Sequence, residues 1–105
     1  MVVNRFDMYY IEPAIGSEIQ KTRPCLVISP DEMNRHIRTV IVAPLMTAGQ
    51  DCPTRIPCQF KKKKGHIALD QIRTIDKARL IKNLGTLDAE TQLKVISVLQ
   101  KLFAF

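Results

Sequence analysis

The segment Cys25-Leu26-Val27-Ile28-Ser29-Pro30 is a short apolar run closed by a proline, and it is the strongest strand signal in the chain. A second run, Thr39-Val40-Ile41-Val42-Ala43, is rich in β-branched residues and ends at Pro44. Both patterns are typical of buried β-strands. Further extended segments are expected at Met8–Ile11, Arg55–Phe60, His66–Leu69 and Ile72–Ile75. So many short strands at close spacing predict a small all-β barrel or sandwich core.

The C-terminal residues change to a helical period. Asp88 is a suitable N-cap, and Glu90 falls in the first turn, where the helix dipole favours an acid. Apolar residues then recur at helical spacing: Leu93, Ile96, Leu99 and Phe103, with Val95 and Leu102 widening the stripe. We expect a terminal amphipathic helix that packs on the barrel or at a subunit interface, with Phe103 and Phe105 in one of those two contacts.

Length and composition indicate one ordinary globular domain, 1–105. The chain has 105 residues, of which 46% are hydrophobic and 25% charged, so disorder is not expected as the main state. No apolar run approaches the roughly 18 residues that a membrane-spanning helix needs. The N-terminus lacks the apolar stretch of a signal peptide. These features predict a cytoplasmic protein.

The cysteines do not form a recognisable framework. Cys25, Cys52 and Cys58 are odd in number and show no CxxC spacing, which argues against a disulfide scaffold or a zinc ribbon. Cys25 lies in an apolar run and is expected to be a small buried hydrophobe. The sequence therefore predicts no metal site and no cofactor.

The net charge of +6 is concentrated in one stretch. Residues 1–60 hold six basic and six acidic residues, whereas residues 61–82 hold eight basic and two acidic ones. The run Lys61-Lys62-Lys63-Lys64-Gly65 indicates an exposed turn between two extended segments. Phosphate is the obvious partner of such a patch, and a solvated hairpin that aids solubility is the alternative. Composition alone leaves both open.

Three motifs in order resemble one protein family. They are Gly16-Ser17-Glu18 followed by Lys21-Thr22-Arg23-Pro24-Cys25-Leu26-Val27-Ile28-Ser29-Pro30, then Val40-Ile41-Val42-Ala43-Pro44-Leu45-Met46-Thr47, then Leu69-Asp70-Gln71-Ile72-Arg73-Thr74-Ile75-Asp76. Together they look like the signature of the MazF/PemK toxin endoribonucleases. The resemblance implies a mostly β (α+β) fold, an SH3-like small barrel of the PemK/CcdB type with a C-terminal helix. It also implies a homodimer, metal-independent cleavage of single-stranded RNA at short sequences, and a partner antitoxin with an acidic, disordered tail.

The resemblance assigns the catalytic roles to Arg23 and Thr47. RNA carries its own nucleophile, the 2′-hydroxyl, so the protein must orient it and stabilise the charge on the phosphorus centre. A guanidinium stays ionised and binds phosphate oxygens in a bidentate manner, and a threonine hydroxyl can donate to a non-bridging oxygen. Without the family pattern, Arg23 would be interpreted as a surface ion-pair residue and Thr47 as a turn residue.

RNA binding is expected from two segments. The polar loop between the first two strands offers hydrogen-bonding groups, and the third motif adds two more; the predicted RNA-binding residues are Ser17, Glu18, Gln20, Lys21, Thr22, Asp70 and Gln71. In some family members an arginine precedes the acid by two residues, whereas here that position is Ala68. We therefore assign Asp70 to RNA binding rather than to catalysis. The first strand also runs almost directly into Glu12-Pro13, which shortens it or the following turn relative to the family.

Three other hypotheses compete with this one. Imidazole pairs commonly catalyse RNA transesterification, but the spacing of His36 and His66 does not bring them together. A gyrase poison of the CcdB type would use a C-terminal tryptophan, and this chain contains none. A basic SH3-like module that binds RNA or protein without chemistry is the third alternative.

Overall fold

The computed structural model describes residues 1–13, 22–47 and 52–104. Within these residues the chain forms seven strands and two α-helices, with two short 3-10 turns. The elements are β1 (Asp7–Ile11), β2 (Arg23–Val27), α1 (Asp31–His36), β3 (Thr39–Met46), β4 (Arg55–Phe60), β5 (Lys63–Ala68), a 3-10 turn (Leu69–Gln71), β6 (Arg73–Asp76), a 3-10 turn (Lys77–Arg79), β7 (Leu80–Thr86) and α2 (Ala89–Leu102).

The strands form one antiparallel sheet in the order β4-β5-β3-β2-β1-β7. The central strand β3 pairs with β2 along one edge and with both β6 and β5 along the other. β4 lies at one end of this order and carries Pro57, a residue that is confined to edge strands because it cannot donate a ladder hydrogen bond. The prediction of a small, mostly β barrel with a C-terminal helix is confirmed.

Both faces of the central strands are buried, each in its own apolar cluster. Leu26 and Ala43 belong to one cluster, whereas Cys25, Val27 and Val42 belong to the other. Because successive side chains in a strand point to opposite faces, a strand buried on both sides is apolar throughout rather than alternating. Burial on both faces explains why the residues of β2 that follow Arg23 are continuously apolar, and it confirms Cys25 as a buried hydrophobe.

Helix α2 closes the first cluster, but with a different stripe from the one expected. Asp88 is its N-cap and accepts a hydrogen bond from the backbone N–H of Thr91, as predicted. Val95 is fully buried, and Val98 and Leu99 pack against the same cluster. Leu93 and Phe103, by contrast, are 73% and 70% exposed, so they do not pack on the barrel. A subunit interface, the other contact expected for this stripe, stays a prediction. Phe105 lies outside the described residues.

Two elements were not predicted. Helix α1 covers a segment around His36 for which no helix was expected, and β7 covers residues with no strand pattern. The lysine run is also more ordered than expected, because Lys63 and Lys64 belong to β5.

Candidate active site

A cleft of about 540 Å³ opens where β2 begins and β3 ends. Arg23 is the first residue of β2, and Thr47 directly follows the last residue of β3. The antiparallel register pairs Cys25 with Pro44, so continuing it by two residues sets Arg23 beside Met46. The cleft is lined by Thr22, Arg23, Pro24, Pro44, Leu45, Met46, Thr47, Gln71 and Arg73.

The structure brings both predicted catalytic residues into this one cleft. Arg23 and Thr47 are exposed side chains on a wall whose backbone is held by the β2–β3 pairing. A guanidinium and a hydroxyl at adjoining strand ends are suited to bind one phosphodiester group from two directions. The lining contains no carboxylate and no imidazole among the residues described.

The predicted RNA-binding residues divide into three groups. Thr22 and Gln71 line the cleft beside Arg23. Ser17, Glu18, Gln20 and Lys21 lie outside the described residues, as does the turn after the shortened first strand. Asp70 is described but does not line the cleft.

Asp70 is held in an ion pair with Arg55. The Nε and Nη2 atoms of Arg55 donate to its two carboxylate oxygens at 2.8 and 3.0 Å, and Thr54 Oγ1 donates at 3.2 Å. The hydrogen bond from Arg55 lowers the pKa of the Asp70 carboxyl, and the same bond raises the pKa of Arg55. The Asp70 carboxylate thus has a structural partner, while its role in RNA binding stays a prediction.

Arg55 lies opposite Ala68, the position at which some members of the MazF/PemK family have an arginine. Arg55 pairs with Ala68 across β4 and β5, so its guanidinium reaches Asp70 from the neighbouring strand. Its Nη1 atom lies 3.5 Å from the sulfur of Met46, which lines the cleft. An arginine on β4 therefore contacts both Asp70 and the cleft wall.

Arg73 is the cleft residue that sequence reasoning missed. It is the first residue of β6 and pairs with Val42 on the edge of β3 opposite β2. Arg23 and Arg73 thus lie on opposite sides of β3, beside Met46 and Val42, which are four residues apart along that strand. The third motif could have indicated this position. Arg73 precedes the apolar Ile75 by two residues, and alternate residues of a strand point to the same face, so Arg73 shares the face of a buried side chain.

The two histidines lie apart from the cleft. His36 Nε2 contacts Glu32 Oε1 at 3.2 Å on α1, in a shallow groove formed with Arg38 and Lys77. His66, on β5, lines a different depression that includes Cys58 and Asp88. The structure thus agrees with the expectation that the two histidines do not form a pair.

Across residues 1–13, 22–47 and 52–104, no group of three or more His, Cys, Asp or Glu side chains is arranged to hold a metal ion. In the same segments, no helix combines the length and apolar character needed to cross a membrane.

Comparison with known proteins gives a consistent result. Residues 4–103 match the family model described as the PemK-like, MazF-like toxin of type II toxin–antitoxin systems. The chain is 40% identical to the endoribonuclease EndoA of Bacillus subtilis over 108 residues, which cover 95% of this chain and 93% of EndoA. It is 34% identical to the endoribonuclease MazF of Staphylococcus epidermidis over 106 residues, covering 93% of this chain and 88% of that protein.

Solved structures agree with the fold. A mycobacterial endoribonuclease in complex with its cognate antitoxin superposes with a TM-score of 0.81 at 25% identity, covering 94% of this chain and 92% of the other. The MazE–MazF complex of Deinococcus radiodurans gives a TM-score of 0.83 at 18% identity, covering 100% and 99%, and this likeness concerns the fold alone. With the family model spanning nearly all of its residues, this chain belongs to the PemK-like, MazF-like toxins of type II toxin–antitoxin systems.

Proposed function

We propose that this chain cleaves single-stranded RNA at selected sequences, without a metal ion, by attack of a ribose 2′-hydroxyl on the adjacent phosphodiester. As a member of the MazF-like toxins it is an endoribonuclease in class, and the proposal concerns how its residues perform that reaction. The observation that supports the proposal is the shared cleft, in which Arg23 and Thr47 meet at the ends of neighbouring strands.

The reaction forms one bond to phosphorus and breaks another. The 2′-oxygen attacks and loses its proton, and the bond from phosphorus to the 5′-oxygen breaks. The products are a 2′,3′-cyclic phosphate and a 5′-hydroxyl, which takes up one proton. Arg23 neutralises the negative charge that builds up on the non-bridging oxygens, and Thr47 donates a hydrogen bond to one of them.

Both protons move through solvent water in this proposal. A guanidinium keeps its proton at neutral pH, so Arg23 orients a water molecule at the 5′-oxygen instead of protonating it directly. Thr22 and Gln71, which line the same cleft, bind the nucleotides on either side of the scissile phosphate. Ser17, Glu18, Gln20, Lys21 and Asp70 remain predicted RNA-binding residues.

The biological setting follows from the family and is part of the proposal. We propose that the chain acts in the cytoplasm as a homodimer, and that an antitoxin with an acidic, disordered tail blocks the RNA site. The exposed apolar side chains of Leu93 and Phe103 on α2 support a subunit contact, because large exposed hydrophobic groups often mark interfaces.

The test is to map the 5′ ends that the purified protein produces from a long RNA in the presence of EDTA. We expect cleavage at a few sequences, with 5′-hydroxyl and 2′,3′-cyclic phosphate ends. Arg23→Ala should lower kcat by about 10²- to 10³-fold, the size of effect seen when one transition-state donor is removed. Its thermal stability should change little, since Arg23 is exposed.

Arg35→Ala is the matched control, because Arg35 is an exposed arginine on α1, outside the cleft. It should retain the wild-type rate. A chain that retains RNA but generates no new ends would instead be a non-catalytic binding module. Normal turnover by Arg23→Ala would refute the assignment of the site.

A further inference from the structure

The tip of the β4–β5 hairpin carries four consecutive lysines, Lys61 to Lys64, and we call it the lysine hairpin. Lys61 and Lys62 form the turn, with φ angles of 49° and 66°. Two successive left-handed residues define a tight type I′ turn, which usually contains asparagine and glycine. A lysine held there costs about 1–2 kcal/mol, so the turn is maintained by its surroundings.

Aromatic contacts hold the lysine hairpin against β1. The rings of Phe60 and Tyr10 meet edge to face, with centroids 6.1 Å apart and planes at 88°. The Nζ atom of Lys61 lies 5.1 Å from the centre of the Tyr10 ring, a cation–π distance. Tyr10 is paired with Pro24, which lines the cleft. The tip is therefore fixed next to the strand that begins with Arg23.

The second arm of the lysine hairpin borders the cleft itself. Lys63 and Lys64 line a small cavity of about 20 Å³ that also includes Thr47 and Pro24 from the cleft wall. The backbones of β5 and β3 approach closely at this point, since a Cβ added at Gly65 would lie 2.8 Å from the carbonyl oxygen of Met46. This approach brings Lys63 and Lys64 next to the cleft wall. The lysines thus stand beside the residue proposed to bind the scissile phosphate.

We propose that the lysine hairpin is a second RNA-binding subsite, in which Lys63 and Lys64 bind backbone phosphates of the RNA just outside the cleft. The proposal rests on the proposed function, since it extends the same RNA beyond the cleft. Among the described residues, the ion pairs involve Arg38, Arg55, His36 and Lys94 but none of these four lysines. Phosphates are the anions that a bound RNA places outside the cleft, and lysine ammonium groups bind them.

The competing explanation is that an exposed charge cluster only accelerates encounter. Steering raises the association rate and leaves the dissociation rate unchanged, whereas a subsite slows dissociation. The anchoring by Tyr10 and Phe60 favours a subsite, because it holds the hairpin backbone that carries Lys63 and Lys64, and a preorganised backbone loses less freedom when RNA binds.

The experiment measures binding of a mixed-sequence RNA whose 2′-hydroxyls are replaced by fluorine, so that it cannot be cleaved. Fluorescence anisotropy and stopped-flow dissociation are recorded at several salt concentrations, with RNA of about 12 and about 5 nucleotides, within the range of single-strand sites. The variant is Lys63→Gln/Lys64→Gln. The control is Lys94→Gln/Lys101→Gln on α2, which removes the same formal charge elsewhere.

For the longer RNA we expect the hairpin variant to dissociate about five- to tenfold faster than the wild type. The salt dependence, log K against log[salt], should lose about 1.4 in slope, which corresponds to two contacts at about 0.7 each for a single strand. The shorter RNA and the control should behave like the wild type. Tyr10→Leu, which removes the anchor without altering the charge, should also accelerate dissociation.

A change confined to the association rate, or an equal loss in the control, would overturn the subsite. So would a wild-type protein that does not bind the longer RNA. Binding and cleavage are read separately: a protein that binds the fluorinated RNA through the hairpin but never cleaves unmodified RNA would refute the proposed reaction and leave the subsite intact.

Discussion

Replacing Gly65 by alanine tests how the end of β3 positions Thr47, the threonine proposed to be catalytic. The new Cβ would lie 2.8 Å from the Met46 carbonyl oxygen, a backbone atom that no rotamer change can move away. Restoring ordinary contact requires β5 and β3 to separate by about 0.6 Å beside Thr47. A misplacement of 1 Å near a reacting group can reduce the rate about 10²-fold, so we expect kcat to fall about tenfold.

The free energy of unfolding of the same variant should also fall. Alanine in place of glycine lowers the entropy of the unfolded chain and stabilises by about 0.4–1 kcal/mol, whereas overpacking costs about 1–3 kcal/mol. The overpacking effect is the larger, so we expect a net loss of about 1–2 kcal/mol in the free energy of unfolding. The protein would remain folded, and its loss of rate would reflect local geometry.

Gly85→Ala is the matched control. Gly85 has a φ of 111° and no atom within 4 Å of an added Cβ, so alanine there strains the backbone by about 1–3 kcal/mol without a clash. It lies on β7, opposite Met8, and is not part of the cleft lining. Initial rates on a fluorogenic RNA and thermal unfolding are measured for both variants. Equal kcat values in the two variants would refute the proposed coupling between β5 and Thr47.

Three further predictions follow from the remaining contacts. Arg73→Ala should raise KM about fivefold with kcat within about twofold of wild type, since one exposed charge-assisted bond is worth about 1 kcal/mol; steady-state kinetics decide, and a kcat loss like that of Arg23→Ala would place Arg73 at the reacting phosphate. Burial raises the pKa of Cys25 to about 12, so iodoacetamide near pH 8 should label the exposed Cys52 in the native protein and leave Cys25 unmodified, as mass spectrometry would show. Because Arg55 lowers the pKa of Asp70, the carboxylate stabilises the fold above about pH 4 and loses this effect as the pH falls through its lowered pKa. In urea unfolding, the wild type should be more stable than Asp70→Asn near pH 7, and the difference should disappear in acid.

The strands that the sequence revealed are those whose side chains are buried. β2 and β3 have apolar side chains on both faces, so their β-branched runs are detectable without knowledge of the partner strands. β7 escaped detection because only Leu80 among its residues is fully buried, and it includes Lys82, Asn83 and Gly85. Helix α1 is six residues long, too short for a helical period to be recognised.

The phase of the α2 stripe illustrates a different limit. The helical period was correct, but apolar residues occur on more than one side of this helix, and the sequence does not state which side meets the sheet. The first apolar cluster selects Val95 and its neighbours Val98 and Leu99, leaving Leu93 in solvent. The orientation of a helix is decided by the surface that it covers, which is a tertiary property.

The direction of Arg23 in the cleft is itself set by burial farther along β2. Arg23 shares its side of the strand with Cys25 and Val27, both fully buried in the second cluster. A slip of one residue between β2 and β3 would exchange the side chains that β2 sends into the two clusters and reverse Arg23 to the opposite face. Each cluster would then receive side chains of the wrong size, and overpacking of a core costs about 1–3 kcal/mol, so packing specifies the register. The core pattern of β2 thus holds the guanidinium toward the cleft, although neither buried residue touches the substrate in the proposed reaction.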